Sequence, residues 1–186
     1  MRLFFALWPS VEEQILFRNA AQGPGPRFSA RWIALENIHL TLLFLPSVTE
    51  EQIGPLFSLV ERSLLPAIRL RLDRLIFQSS GKEGLLWLAP AESLTALTNL
   101  VGLLQERLAP LGISARQRRP FSPHITLARR VVLSRAGGGC SLPLVLRSLE
   151  KPIDWPVREM ALVSSETLPE GSRYTPLASW ALPASA

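Results

Sequence analysis

Short apolar runs, interrupted at close intervals by proline, glycine and charged residues, set the first expectations for this chain. Leu3 to Trp8 is unbroken apolar sequence ended by Pro9, which predicts a buried strand. Ser10 before Val11-Glu12-Glu13 predicts a helix start, with Ser10 as the cap and the acidic pair at the positive end of the helix dipole. The segment Gln22-Gly23-Pro24-Gly25-Pro26 suits neither helix nor central strand, because proline lacks a donor and glycine loses too much entropy on ordering; a mobile loop is expected. Asn37 to Leu45 reads as a strand closed by Pro46, and Glu50 to Leu64 as a helix.

Farther on, Ile68, Leu70 and Leu72 alternate with Arg69, Arg71 and Asp73, so Ile68 to Phe77 has the period-two pattern of a half-buried strand. Ser79 to Gly84 predicts a hairpin turn into a strand Leu85 to Leu88, and Leu94 to Leu108 an amphipathic helix. The order then recurs with a strand from Phe121 to Arg129, a glycine-rich loop at Ala136 to Gly139, and closing strands Trp155 to Ser165 and Tyr174 to Leu182. Strands mixed with two or three helices, without strict alternation, predict an α+β fold with antiparallel or mixed sheets. The length fits one domain over residues 1–186, built from two similar halves.

Composition narrows the function classes. No run approaches the ~20 apolar residues needed to cross a bilayer, and the apolar start is too short for a secretory signal, so a soluble cytoplasmic protein without a membrane partner is expected. Cys140 is alone and cannot form an internal disulfide, and no Cys/His cluster offers a zinc site; neither metal nor other cofactor is expected. The net charge of +5 favours a phosphate-rich partner by Coulomb attraction. Because only Lys82 and Lys151 among the basic residues are lysines, an arginine-rich solvated surface explains that charge equally well. Arg116, Arg118 and Arg119 are more pointed, since guanidinium forks grip phosphate and this cluster lies just before a histidine of interest.

The chain has two histidines, and each opens the same pattern: His39-Leu40-Thr41-Leu42 and His124-Ile125-Thr126-Leu127. Threonine is scarce, with seven in 186 positions, so its place two residues after both histidines is not a composition effect. On a strand, residues two apart share a face, so each motif sets an imidazole beside a hydroxyl while the aliphatics point to the core. Two such strands meeting at a cleft would flank a small site with two imidazoles and two hydroxyls. In-line displacement at phosphorus needs a base on the attacking water and an acid on the leaving oxygen, and histidine serves both near neutrality. Thr41 and Thr126 could donate to the non-bridging oxygens. A lone strand histidine is more often a structural one, and the pairing is what shifts the balance to catalysis. A two-histidine metal site lacks a third ligand and ranks low.

These motifs resemble those of the two-histidine phosphoesterases, specifically the bacterial RNA 2′,3′-cyclic phosphodiesterases also called 2′-5′ RNA ligases. The resemblance extends to Arg2-Leu3-Phe4-Phe5-Ala6, to Arg31-Trp32 before the first motif, to Arg119-Pro120-Phe121-Ser122-Pro123 before the second, and to Arg173-Tyr174-Thr175-Pro176-Leu177 near the end. It implies a bilobal, pseudo-two-fold α+β fold, with one motif per lobe facing a central groove and helices outside. It also implies hydrolysis of a 2′,3′-cyclic phosphate to a 2′-phosphate, with His39 as acid to the leaving 3′ oxygen, His124 as base on water, and Arg129 as a phosphate ligand. Strand parity instead puts Arg130 on the face of His124 and Thr126, so Arg129 requires a bend in the strand. Leu45-Pro46-Ser47 departs from the Leu-Gly common in the family and is expected to alter only a turn.

Trp32, Phe121 and Arg119 are candidate base or RNA contacts, with core or rim packing the competing role for the two aromatics. Tyr174 is weighed likewise. The expected partners are RNA carrying a 2′,3′-cyclic phosphate end, or small cyclic nucleotides, bound by a monomer. Reverse 2′-5′ ligation of tRNA halves, and an RNA-end binding module without turnover, are the alternatives.

Overall fold

The computed structural model describes residues 1–22, 28–61, 65–92, 94–115, 121–133, 143–169 and 171–184. Among them are three α-helices and nine strands, and every strand pairing is antiparallel, which resolves the choice left open by the sequence. The strands are β1 Leu3–Leu7, β2 Phe28–Trp32, β3 Leu40–Leu45, β4 Ile68–Ser80, β5 Glu83–Pro90, β6 Ile125–Leu133, β7 Leu144–Val157, β8 Glu159–Leu168 and β9 Gly171–Ala181. The helices are α1 Val11–Ala20, α2 Glu50–Glu61 and α3 Thr95–Leu108. The glycine-proline segment at 23–26, the arginines 116, 118 and 119, the glycine-rich loop 136–139, Cys140 and the last residues expected in the second helix lie outside the described residues.

Local chemistry explains several boundaries. Ser10 Oγ accepts from the Glu13 amide and Glu13 Oε2 accepts from the Ser10 amide, a reciprocal cap that starts α1. The β4–β5 hairpin is tighter than its sequence suggests: both strands run to a two-residue turn in which Gly81, with φ +73°, takes a left-handed conformation. The segment expected as one strand, Trp155 to Ser165, is two. Arg158 separates β7 from β8, and its carbonyl accepts the Leu182 amide instead of a ladder bond.

The strand order is β7-β4-β5-β6-β3-β1-β8-β9, with β2 added alongside β6. Five strands lie between β7 and β8, yet a single residue joins them. The sheet must therefore curl enough to bring the end of β7 at Val157 to the start of β8 at Glu159, and the main core packs within that curl. That core runs from Leu3, Phe5 and Leu7 through Leu70 and Leu88 to Trp155 and Met160. Phe17 of α1 meets Trp155 edge-on at 5.2 Å, which fixes the helix against β7.

β3 and β6 join the two halves of the sheet through one pair, Leu40 opposite Ile125. Beyond it, β2 replaces β3 as the neighbour of β6, setting Trp32 opposite Ala128 and Arg31 opposite Arg129. The sheet is thus parted between β2 and β3 where both histidine motifs begin.

Candidate active site

Each motif histidine sits just before its strand, not inside it: β3 starts at Leu40 and β6 at Ile125. With Leu40 opposite Ile125, one further step along antiparallel strands sets His39 across from Thr126 and Thr41 across from His124. The aliphatics Leu40, Leu42, Ile125 and Leu127 are buried in the main core, so the alternate residues turn to the other face. There His39, Thr41, His124, Thr126 and Arg129 line one cavity of about 80 Å³, a space of anion size, with Asn37 and Tyr174 at its wall.

The two rings are held alike. Nδ1 of His39 lies 2.8 Å from the Asn37 carbonyl, and Nδ1 of His124 lies 2.8 Å from the Ser122 carbonyl. A carbonyl can only accept, so in both rings Nδ1 carries a proton and Nε2 is the working nitrogen. His39 Nε2 is 3.0 Å from Thr41 Oγ1. The segment leading to His39 is pinned from two sides. Buried Gln14 donates to the Ile38 carbonyl at 3.2 Å, and Asn37 Nδ2 donates to the Ser172 carbonyl of β9 at 3.3 Å.

Aromatic side chains that the motif pattern does not reveal surround the rings. His39 stacks on Trp8 at 5.3 Å with planes 4° apart and on Phe4 at 4.9 Å, while Tyr174 meets it edge-on at 5.3 Å. His124 stacks on Trp87 at 4.1 Å. Trp87 is brought there because β5 pairs it with Thr126. Burial pushes the His39 pKa down to about 4, against the opposing pull of the Asn37 carbonyl and with help from the Arg129 and His124 charges. Burial also lowers the His124 pKa, opposed by the Ser122 carbonyl.

Arg129 lines the small cavity and Arg130 does not. The ladder between β5 and β6 slips twice, once between Leu86 and Trp87 and again between Gly84 and Leu86. Each slip adds a residue on β6 and inverts the parity that the sequence pattern assumes. Beside the small cavity is a larger chamber of about 450 Å³, whose wall includes Trp32, Asn37, Arg129, Arg130, Ser172 and Tyr174. Trp32 is braced there by Arg18, whose guanidinium lies 5.1 Å from the ring centroid and donates to the Ile33 carbonyl. Phe121 is elsewhere: it packs against the main core and lines neither cavity. Arg119 lies outside the described residues.

Known proteins resemble this chain in both sequence and fold. Residues 14–168 match the 2′-5′ RNA ligase superfamily. The chain is 32% identical to the RNA 2′,3′-cyclic phosphodiesterase of Escherichia coli, covering 97% of this chain and 96% of that one. It is 33% identical to the protein of the same name from Thermus thermophilus, covering 98% of this chain and 90% of the other. Its fold is similar to the crystal structure of E. coli LigT complexed with 3′-AMP, with a TM-score of 0.74 at 31% identity over 97% of each chain. An open antiparallel sheet presenting two imidazole-hydroxyl pairs, and likeness along nearly the full length, place this chain in the 2′-5′ RNA ligase superfamily.

Proposed function

We propose that this protein hydrolyses 2′,3′-cyclic phosphate ends of RNA to 2′-phosphates by acid-base catalysis between its two histidines. The observation that carries the reading is the anion-sized cavity shared by His39, Thr41, His124, Thr126 and Arg129. Water attacks phosphorus as its proton passes to Nε2 of His124. The bond from phosphorus to the 3′ oxygen breaks, and that oxygen takes the proton from Nε2 of His39, leaving a 2′-phosphate and a 3′-hydroxyl. Hydroxyls of Thr41 and Thr126, with the Arg129 guanidinium, stabilise the charge that grows on the non-bridging oxygens.

The depressed pKa of His39 gives the substrate a part in its own activation. In the free site His39 is neutral at pH 7, chiefly because it is buried, with Arg129 and His124 adding to the opposition to its charge. An entering phosphate anion offsets Arg129 and favours protonation of His39, which then has a proton to give. The roles assigned to the two histidines follow the family resemblance, and the unlike surroundings of the rings support their being unequal.

The test is incubation of an oligonucleotide ending in a 2′,3′-cyclic phosphate with the protein in the presence of EDTA, followed by product analysis. A 2′-phosphate end is expected. Unchanged substrate with folded protein would reject the reading, and chelator-sensitive turnover would reject the metal-independent mechanism. Because a catalyst accelerates both directions, the same assay with a 5′-hydroxyl partner at high concentration tests 2′-5′ joining.

A further inference from the structure

Arg130 has φ +51°, alone among the described non-glycine residues in having a positive φ. In that region a Cβ crowds its own backbone, and a bulge that needed only the turn would be served at lower cost by glycine or asparagine. Strain of this kind persists where the surrounding structure holds it, and it clusters at active sites and ligand clamps. Its effect here is geometric. In a regular strand, consecutive residues face opposite sides, so one of Arg129 and Arg130 would leave the groove. With the β5 and β2 ladders both slipping at this point and Arg130 left-handed, both arginines are exposed between buried Ala128 and Val131, and both line the larger chamber. Arg129 also lines the two-histidine cavity, so the strand carries one guanidinium at the reacting centre and the next a step farther out.

The two cavities adjoin, sharing Ile33, Asn37, Arg129 and Tyr174 as walls. A chamber of about 450 Å³ beside the anion-sized one is of the size that takes a small organic ligand, here a nucleoside. In RNA the anion nearest a terminal 2′,3′-cyclic phosphate is the phosphodiester on the 5′ oxygen of the same ribose. A nucleoside seated in the chamber sends that group toward its outer part, where a second cation has an anion to meet.

We propose that Arg130 is a subsite for the phosphodiester one step upstream of the cyclic phosphate, and that it makes the site select polynucleotide ends over free nucleoside cyclic phosphates. This rests on the phosphodiesterase reading above, and it names the residue that distinguishes two substrate classes sharing the same reacting group.

The experiment compares four substrates: adenosine 2′,3′-cyclic phosphate, the same compound bearing a 5′-phosphate, a dinucleotide with the same cyclic end, and that dinucleotide with a neutral methylphosphonate linkage. The full-length protein should turn over the two with an upstream charge with kcat/KM about tenfold higher, mainly through KM, the scale of one charge-assisted contact. R130A should lose about tenfold more on the charged pair than on the neutral pair, flattening the series. R130K should keep part of the preference, as a cation without the fork. R130G, which relieves the backbone strain, should flatten the series as R130A does, so that a folding defect cannot imitate the result. Equal losses on all four substrates, or an intact preference in R130G, would overturn the subsite. Wild-type protein inert on all four would instead sink the phosphodiesterase reading, and the subsite with it.

Discussion

The two halves of the sheet hold the same tetrapeptide in unlike company. On the β3 side, His39 is packed by Phe4 and Trp8 from the β1 segment and Tyr174 from β9, within the influence of Arg129, and its pKa falls to about 4. On the β6 side, His124 rests on Trp87 from β5, and burial lowers its pKa against the pull of the Ser122 carbonyl. The backbone treatment is the same in both, a carbonyl two residues back holding Nδ1. Identity of motif therefore fixes which nitrogen faces the cavity, while neighbours from other strands decide how willingly that nitrogen carries a proton. The surroundings of the two imidazoles are unequal because β1 and β9 differ from β5.

The sharpest way to break this comparison is to remove each ring in turn. His39→Ala and His124→Ala should each reduce kcat/KM at least ~100-fold with thermal unfolding little changed. Steady-state rates and melting curves together check this, and a variant at full rate removes that histidine from the mechanism. Next in size, Arg129→Met should lower kcat/KM by about 100-fold, since it deletes a cation from the developing charge. It should also raise the His39 pKa, because a like charge has gone; an NMR titration in which His39 moves down or stays fixed contradicts the stated cause.

Proton linkage sharpens the contrast without altering the site. Because His39 is depressed to about 4 from an ordinary value of 6.5, the unfolded chain binds the extra proton first as pH falls. The stability conferred by neutral His39 is fully present above about pH 6.5 and drains away toward pH 4. Urea midpoints measured across that window should fall with pH, and the fall should be shallower in His39→Gln. The smallest effect is expected from the aromatic bed: Trp8→Ala should rehydrate His39 and raise its pKa, with His124 scarcely moved, while Trp87→Ala should do the reverse. NMR shifts of the two rings in both variants decide the matter, and coupled movement of both rings would contradict separate environments.

The sequence pattern revealed elements wherever burial was one-sided or capped by a clear signal. β4 alternates cleanly because one face meets the core and the other meets water, and Ser10 with Glu13 announces α1. β2 and the start of β7 went unread for a physical reason. β7 is an edge strand with Pro152 in its ladder irregularity and Pro156 within it, placements that an edge tolerates and a sequence pattern counts against a strand. The β7–β8 boundary was invisible because Arg158 carries no turn chemistry; only the sheet's curl separates the two. In the site, the histidines and threonines were legible because spacing along one strand sets their common face. Trp8, Phe4 and Trp87 were not, since their proximity depends on pairing between distant strands, and β1 is buried on both faces so that its apolar run does not say which side meets the groove. Arg129 stood against parity until the ladder slip between Leu86 and Trp87 supplied the one missing residue ahead of it.

The lone rung between Leu40 and Ile125 is the ladder contact that registers one histidine motif against the other. No second ladder pair among the described residues holds β3 against β6, so a change of packing at that rung would shift one imidazole relative to the other. The spacing that chemistry at phosphorus demands is consequently governed by two aliphatic residues that never touch the reacting atoms.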